Sequence, residues 1–164
     1  MESNAIVFVG LCDEYCRELE GAREADRDEF VDRMLRLLPR LYISAFDITP
    51  DMYLDQEVYI EQALDEDYYD AVRRNVETIL GPDDVYLEVF EEDMKYSDTP
   101  VAVSISEGLT DLFQVFYNFI NTVRDTTDET VRLALQGVAE DFRGYWSQTL
   151  CNTLRALNHL KTNS

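Results

Sequence analysis

Apolar residues recur at every third or fourth position through most of this chain, and that spacing narrows the fold more than any other feature. From about Asn4 to Gly21, the residues Ala5, Phe8, Val9, Cys12, Tyr15, Cys16 and Leu19 fall on one stripe, while Asp13, Glu14, Arg17, Glu18 and Glu20 fall elsewhere. A period near 3.6 is what an amphipathic helix needs to bury one face, whereas a half-buried strand alternates with period two. Gly21 suits the end of that helix. Asp26 followed by Glu29 has capping-box spacing and opens a second helix. Its face is Phe30, Val31, Met34, Leu35, Leu38, Leu41, Tyr42 and Ala45. Pro39 lies inside this pattern, where it lacks a backbone donor and its ring meets the preceding turn, so a kink or break is expected there.

The same reasoning extends downstream. "DITPDMYLDQ" reads as a connector with Pro50 at its turn, and a third helix is expected from about Asp65 to Leu80, stopped by Gly81 and Pro82. A shorter helix is expected over Tyr86 to Met94. Ser104 and Glu107 repeat the capping-box spacing ahead of Leu109, Leu112, Phe113, Phe116, Phe119, Ile120 and Val123. The last helix is expected from about Asp128 to Leu160, with Val131, Leu135, Val138, Phe142, Tyr145, Trp146, Leu150, Leu154, Leu157 and Leu160 inward. Gly137 and Gly144 each cost about 1 kcal/mol against alanine there, and glycines kept in a long helix mark a bend or a close helix contact. "PVAVSIS" is the one β-branched alternation and is too short to form a sheet alone. Six glycines and four prolines are too few for a many-turned β architecture. The expected fold is all-α: a compact bundle of five or six helices, with a long C-terminal helix, forming a single domain over residues 1–164.

Charge limits the partners. With 34 acidic and 14 basic residues, the formal net charge is −20. Nucleic-acid binding rests on cations that displace counterions from phosphates, so no nucleic acid is expected. Anionic membranes are disfavoured for the same reason. A basic protein, a metal ion or colloidal solubility are the readings left for the charge. No apolar run approaches the roughly 18–20 residues of a membrane span. Glu2 stands where an export signal needs a positive charge, and the apolar run Ala5 to Cys12 stops at Asp13. Three cysteines, an odd number, then point to free thiols and a cytoplasmic location.

Little in the sequence carries catalysis. His159 is the one imidazole, near the C-terminus, which leaves nucleophilic mechanisms almost without a base. Cys12 and Cys16 share the buried stripe, where free cysteine packs as a small hydrophobe. Cys151 and His159 are about 12 Å apart along a helix, too far to complete a zinc quartet with them. No Glu-x-x-His pair offers a bundle di-metal site, and Asp47, Asp51 and Asp55 are not followed by a glycine-centred calcium loop. Phosphate-cradling glycine loops and dinucleotide fingerprints are absent from the sequence. No catalytic, cofactor-binding or metal residue is assigned, and a cofactor is not expected.

The remaining signal is distribution. Seventeen acidic and three basic residues lie between Asp47 and Asp98, interleaved with Met52, Tyr53, Tyr59, Tyr68, Tyr69, Tyr86 and Tyr96. Tyrosine gives rigid contact area with a polar tip, so an acidic, tyrosine-studded surface suits a basic protein partner. Glu91, Glu92, Asp93, Tyr96 and Asp98 are the candidate partner-binding residues. The bland reading, in which each tyrosine covers the rim of the core, stands beside it. A non-enzymatic protein-interaction module is the first functional reading. The alternatives are a carboxylate-based metal-dependent enzyme or metal-binding module, and a structural or homo-oligomeric subunit in which the helix from Leu109 to Val123 leaves an apolar patch for self-association.

The segments "EYCRELE", "MLRLLPRLY", "DVYLEVFEEDMKYSDTP", "SISEGLTDLFQ" and "YWSQTLCNTLRALNHL", in this order and spacing, resemble a bacterial family catalogued as domain of unknown function 5063. The resemblance covers nearly the whole chain. It implies a compact, mostly helical, cytoplasmic bacterial protein and carries over no catalytic residue or cofactor. It also implies that "EDMKYSDTP" is part of the domain's body and not a linker.

Overall fold

A computed structural model describes residues 3–48, 57–58, 60–87 and 102–163. The connector around Pro50 lies outside the described residues. Helix α1 spans Ser3–Glu20 and ends in a single 3-10 turn, Ala22–Glu24. Helix α2 spans Arg27–Phe46, and its cap is the expected one: the Asp26 carboxylate accepts the Glu29 N–H at 3.1 Å. Of the two outcomes expected at Pro39, the break does not occur. The helix continues through the proline, held by Leu37, Leu38 and Leu41 in the core on either side.

Helix α3 spans Glu66–Leu80, capped by Asp65 and closed by Gly81 at φ 59°, a backbone angle that L side chains rarely adopt. Two short strands follow, β1 (Val85–Leu87) and β2 (Ala102–Ser104), paired antiparallel with Tyr86 opposite Val103. This corrects the helix expected from Tyr86. Val-Tyr-Leu suits a pleated ribbon once Ala102, Val103 and Ser104 lie beside it, and that pairing is non-local. The rest of that expected helix, residues 88–94, is outside the described residues.

Helix α4 spans Ile105–Val123, and its N-cap is the expected residue: the Ser104 hydroxyl accepts the Glu107 N–H at 3.1 Å. The C-terminal helix is one rod in three parts: α5 (Asp128–Asp141), a π turn (Phe142–Trp146) and α6 (Ser147–Thr162). Among the described residues the fold is therefore all-α, with five helices when the rod is counted once and a small two-stranded ribbon.

α4 is the centre of the bundle, packing on α1, α3, α5 and α6. Leu109, Leu112, Phe113, Phe116, Phe119 and Ile120 are all buried. The exposed apolar patch expected on this helix does not exist, because neighbouring helices of the same chain cover it. The core is one continuous cluster. Its aromatic centre is Trp146, whose ring lies 4.6 Å from Phe142, 5.1 Å from Phe116 and 6.5 Å from Phe8. Polar tips buried with these rings are satisfied, as burial requires. Trp146 Nε1 donates to the Val138 carbonyl at 3.0 Å, and the Tyr15 hydroxyl donates to the Leu109 carbonyl at 2.6 Å. No described helix is long and apolar enough to cross a membrane.

Candidate functional site

A cleft of about 330 Å³ opens between the first half of α4, the π turn with the start of α6, and the ribbon. Three local devices shape it. The first is an anchor for the ribbon and the start of α4. Asp84, 5% exposed, accepts the Ser106 N–H at 2.6 Å and the Ser106 and Ser104 hydroxyls at 2.7 and 2.9 Å. Ser104 is also the α4 cap, so one carboxylate fixes both the last residue of β2 and the first turn of α4.

The second device is a close helix contact. A Cβ at Gly108 would run into the side chain of Thr153, so α4 and α6 approach here at a distance only glycine permits. The Thr153 hydroxyl is buried with no hydrogen-bond partner. The third device is the π turn, closed by the Ser147 N–H bonding back to the Phe142 carbonyl, five residues earlier. This extra residue per turn displaces Tyr145, which the periodicity placed inward. It is 52% exposed and lines the cleft, while Phe142 and Trp146 keep the core positions. Such single π turns inside α-helices frequently accompany functional sites.

Glu107 and Asp111, one turn apart on α4, bring two carboxylates to the cleft wall. The Tyr69 hydroxyl, from α3, donates to Asp111 Oδ1 at 2.6 Å. Burial pushes the Asp111 carboxyl above the ordinary aspartate range; the Tyr69 hydrogen bond opposes that shift and the Glu107 charge adds to it. Burial likewise raises Tyr145, with the Asp111 charge adding and a Thr149 hydrogen bond opposing. Neither cleft carboxylate has a cation partner among the described residues. A few carboxylates elsewhere are paired, as in Asp13–Arg17 at 2.7 Å and Asp32–Lys161 at 2.8 Å, although 14 basic residues cannot pair 34 acidic ones.

Asn152 completes the wall from α6. It is 5% exposed and lines the cleft, yet its amide has no hydrogen-bond partner among the described residues. Its amide opens onto the cleft, where water or a ligand can bond it. At the rim, the Arg155 guanidinium lies over the Tyr86 ring, 5.7 Å from its centroid.

The residues named from sequence fare differently. Glu91, Glu92, Asp93, Tyr96 and Asp98 lie outside the described residues. Cys12 and Cys16 are buried in the core, and burial raises both thiols well above the ordinary range, which keeps them protonated and unreactive. His159 is exposed near the end of α6, where its Nδ1 meets Asn163 Nδ2 at 3.1 Å. Among the described residues no group of three or more His, Cys, Asp or Glu is placed to hold a metal ion. Asp111 and Asn152 carry no signal in sequence, since each reads as an ordinary polar helix position. Gly144, singled out as a bend, was the one local hint of the π turn.

The sequence profile of the family described as "Domain of unknown function (DUF5063)" matches residues 1–163. The chain belongs to this family. A crystal structure of the protein BF1032 from Bacteroides fragilis, a Northeast Structural Genomics Consortium target, is similar to this DUF5063 chain. It is 32% identical with a TM-score of 0.81, over 98% of this chain and 93% of that one. No curated protein matches the chain.

Proposed function

We propose that this DUF5063 chain is a non-enzymatic interaction module that receives a basic segment of a partner protein. The observation that carries this reading is the pair Glu107 and Asp111, two carboxylates on a cleft wall without a cation among the described residues to neutralise them. The net charge of −20 extends the attraction beyond the cleft and steers a cationic partner toward it. Glu91, Glu92, Asp93, Tyr96 and Asp98 belong to the same proposed contact, on their charge and tyrosine content. Cytoplasmic residence is part of the proposal and is supported by three free cysteines.

Fluorescence anisotropy with a labelled lysine- and arginine-rich peptide, beside an acidic control of equal length, tests it. The basic peptide is expected to bind at about 20 mM salt and to weaken by at least about tenfold at about 300 mM, where the screening length is short. Equal behaviour of the two peptides, or no binding at low salt, would overturn the proposal.

A further inference from the structure

We infer that the cleft is a guanidinium pocket: it takes one arginine side chain of the basic partner, with Glu107 and Asp111 as paired acceptors and the Asn152 amide completing the hydrogen bonding. This inference rests on the reading of the chain as a receiver of basic segments and specifies the contact.

The unpartnered amide is the decisive feature. Asn152 keeps only 5% of its surface, on the cleft wall, and its amide makes no hydrogen bond to the described residues, so cleft water is what a ligand there would replace. Its Oδ1 is an open acceptor for a ligand that donates N–H bonds. The ligand must also be cationic, because Glu107 and Asp111 flank the same space. Side chains one helical turn apart are separated by about 5–6 Å at Cβ, a span that a planar fork of five N–H donors bridges and a compact ammonium does not. A guanidinium is also less strongly hydrated than an ammonium and so enters a half-buried cleft at lower cost.

Size and shape agree. About 330 Å³ is at the lower limit of ligand pockets, roughly 300–1,000 Å³, and suits one long side chain better than a cofactor. The half-exposed ring of Tyr145 stands on the wall, where it offers a face for stacking. The chain already makes one such contact of its own, Arg155 over Tyr86, at the edge of the same cleft. Asp111 is the acceptor with most to gain. One hydrogen bond from Tyr69 compensates it only in part, and a cation alongside would draw its titration back toward the ordinary range.

The experiment is an NMR titration of the full chain, following the Asn152 side-chain amide and the Tyr145 backbone amide. The probes are Nα-acetyl-arginine methylamide, its lysine counterpart and free arginine. Saturable shifts at both reporters are expected with blocked arginine, at least about fivefold tighter than with blocked lysine. Glu107→Gln, at an exposed position that leaves the core untouched, is expected to weaken the arginine complex about five- to tenfold. Asn152→Leu, which removes the Oδ1 acceptor at similar size, is expected to weaken the arginine complex at least about threefold, read at the Tyr145 amide, and an unchanged arginine affinity would overturn the role of Asn152. No shift at about 20 mM probe, lysine binding as well as arginine, or an unchanged affinity in Glu107→Gln would each overturn the pocket. A preference for free over blocked arginine would overturn a partner chain as its source. If blocked arginine fails while the basic peptide still binds in a salt-dependent way, the pocket falls and the interaction module stands. If both fail, both fall.

Discussion

Asp111 shows how much a single side chain can hold in tension. Its carboxylate is half-buried on α4, its best donor is the Tyr69 hydroxyl at 2.6 Å, and its neighbour Glu107 carries the same charge. Burial outweighs the hydrogen bond, so the folded chain holds the Asp111 proton more tightly than the unfolded chain does. The sign follows directly. A raised carboxyl opposes folding once ionised; that opposition is absent below the ordinary aspartate value of about 3.9 and grows as pH rises through the folded value. Asp111→Asn keeps an oxygen for Tyr69 and removes the charge. It is expected to raise the Tm at neutral pH, with the difference from the parent shrinking to nothing below about pH 3.9. Thermal unfolding across that range checks this, and a variant less stable than the parent at neutral pH would show that the Tyr69 bond dominates instead. Neither Asp111 nor Asn152 was legible in the sequence. Periodicity reports only which positions are apolar, and Asp111 owes its hydrogen bond to Tyr69, 42 positions away on another helix.

At the level of elements, legibility tracks how local the cause is. The caps at Asp26 and Ser104 each depend on a partner three residues along, and both form as read. The ribbon depends on two three-residue strands meeting across 14 intervening residues, and no local pattern announces that. The C-terminal rod divides the same way. Both of its glycines stood out, but only packing tells them apart. A Cβ at Gly137 would lie 3.2 Å from the Ile60 Cδ1 and 3.4 Å from the Val58 Cβ, whereas a Cβ at Gly144 meets nothing within 4 Å. Gly144→Ala is therefore expected to stabilise the fold by up to about 1 kcal/mol, or roughly 2–4 °C in Tm. Gly137→Ala forces the Ile60 and Val58 side chains aside and is expected to lower the Tm despite the same gain in helix propensity. Differential scanning calorimetry of the two variants decides it. Two shifts of equal sign would mean that the contact at Gly137 yields without resistance.

For the molecule as a whole, the dominant quantity is its net charge of −20, around a mainly apolar core. Exposed ion pairs such as Arg73–Glu77 at 2.7 Å each contribute only about 0–1 kcal/mol. They cannot offset repulsion among 34 acidic residues. Screening should then favour the folded state, and the Tm is expected to rise when sodium chloride increases from about 20 to about 300 mM. A falling Tm over that interval would assign the larger share to the ion pairs. The bundle, its helix count and its charged exterior were the most legible part of this protein, since each follows from residue type and spacing summed over many positions. The cleft was the least legible, because its walls come from helices far apart in the chain.

Ser104 belongs to two structures at once, ending the ribbon and beginning the central helix, with Asp84 gripping it from below. Lifting the ribbon would uncap the helix on which α1, α3, α5 and α6 pack. Since Ser104 lines the cleft together with Tyr86 and Glu107, a molecule bound there would touch ribbon and helix at once and hold the two together.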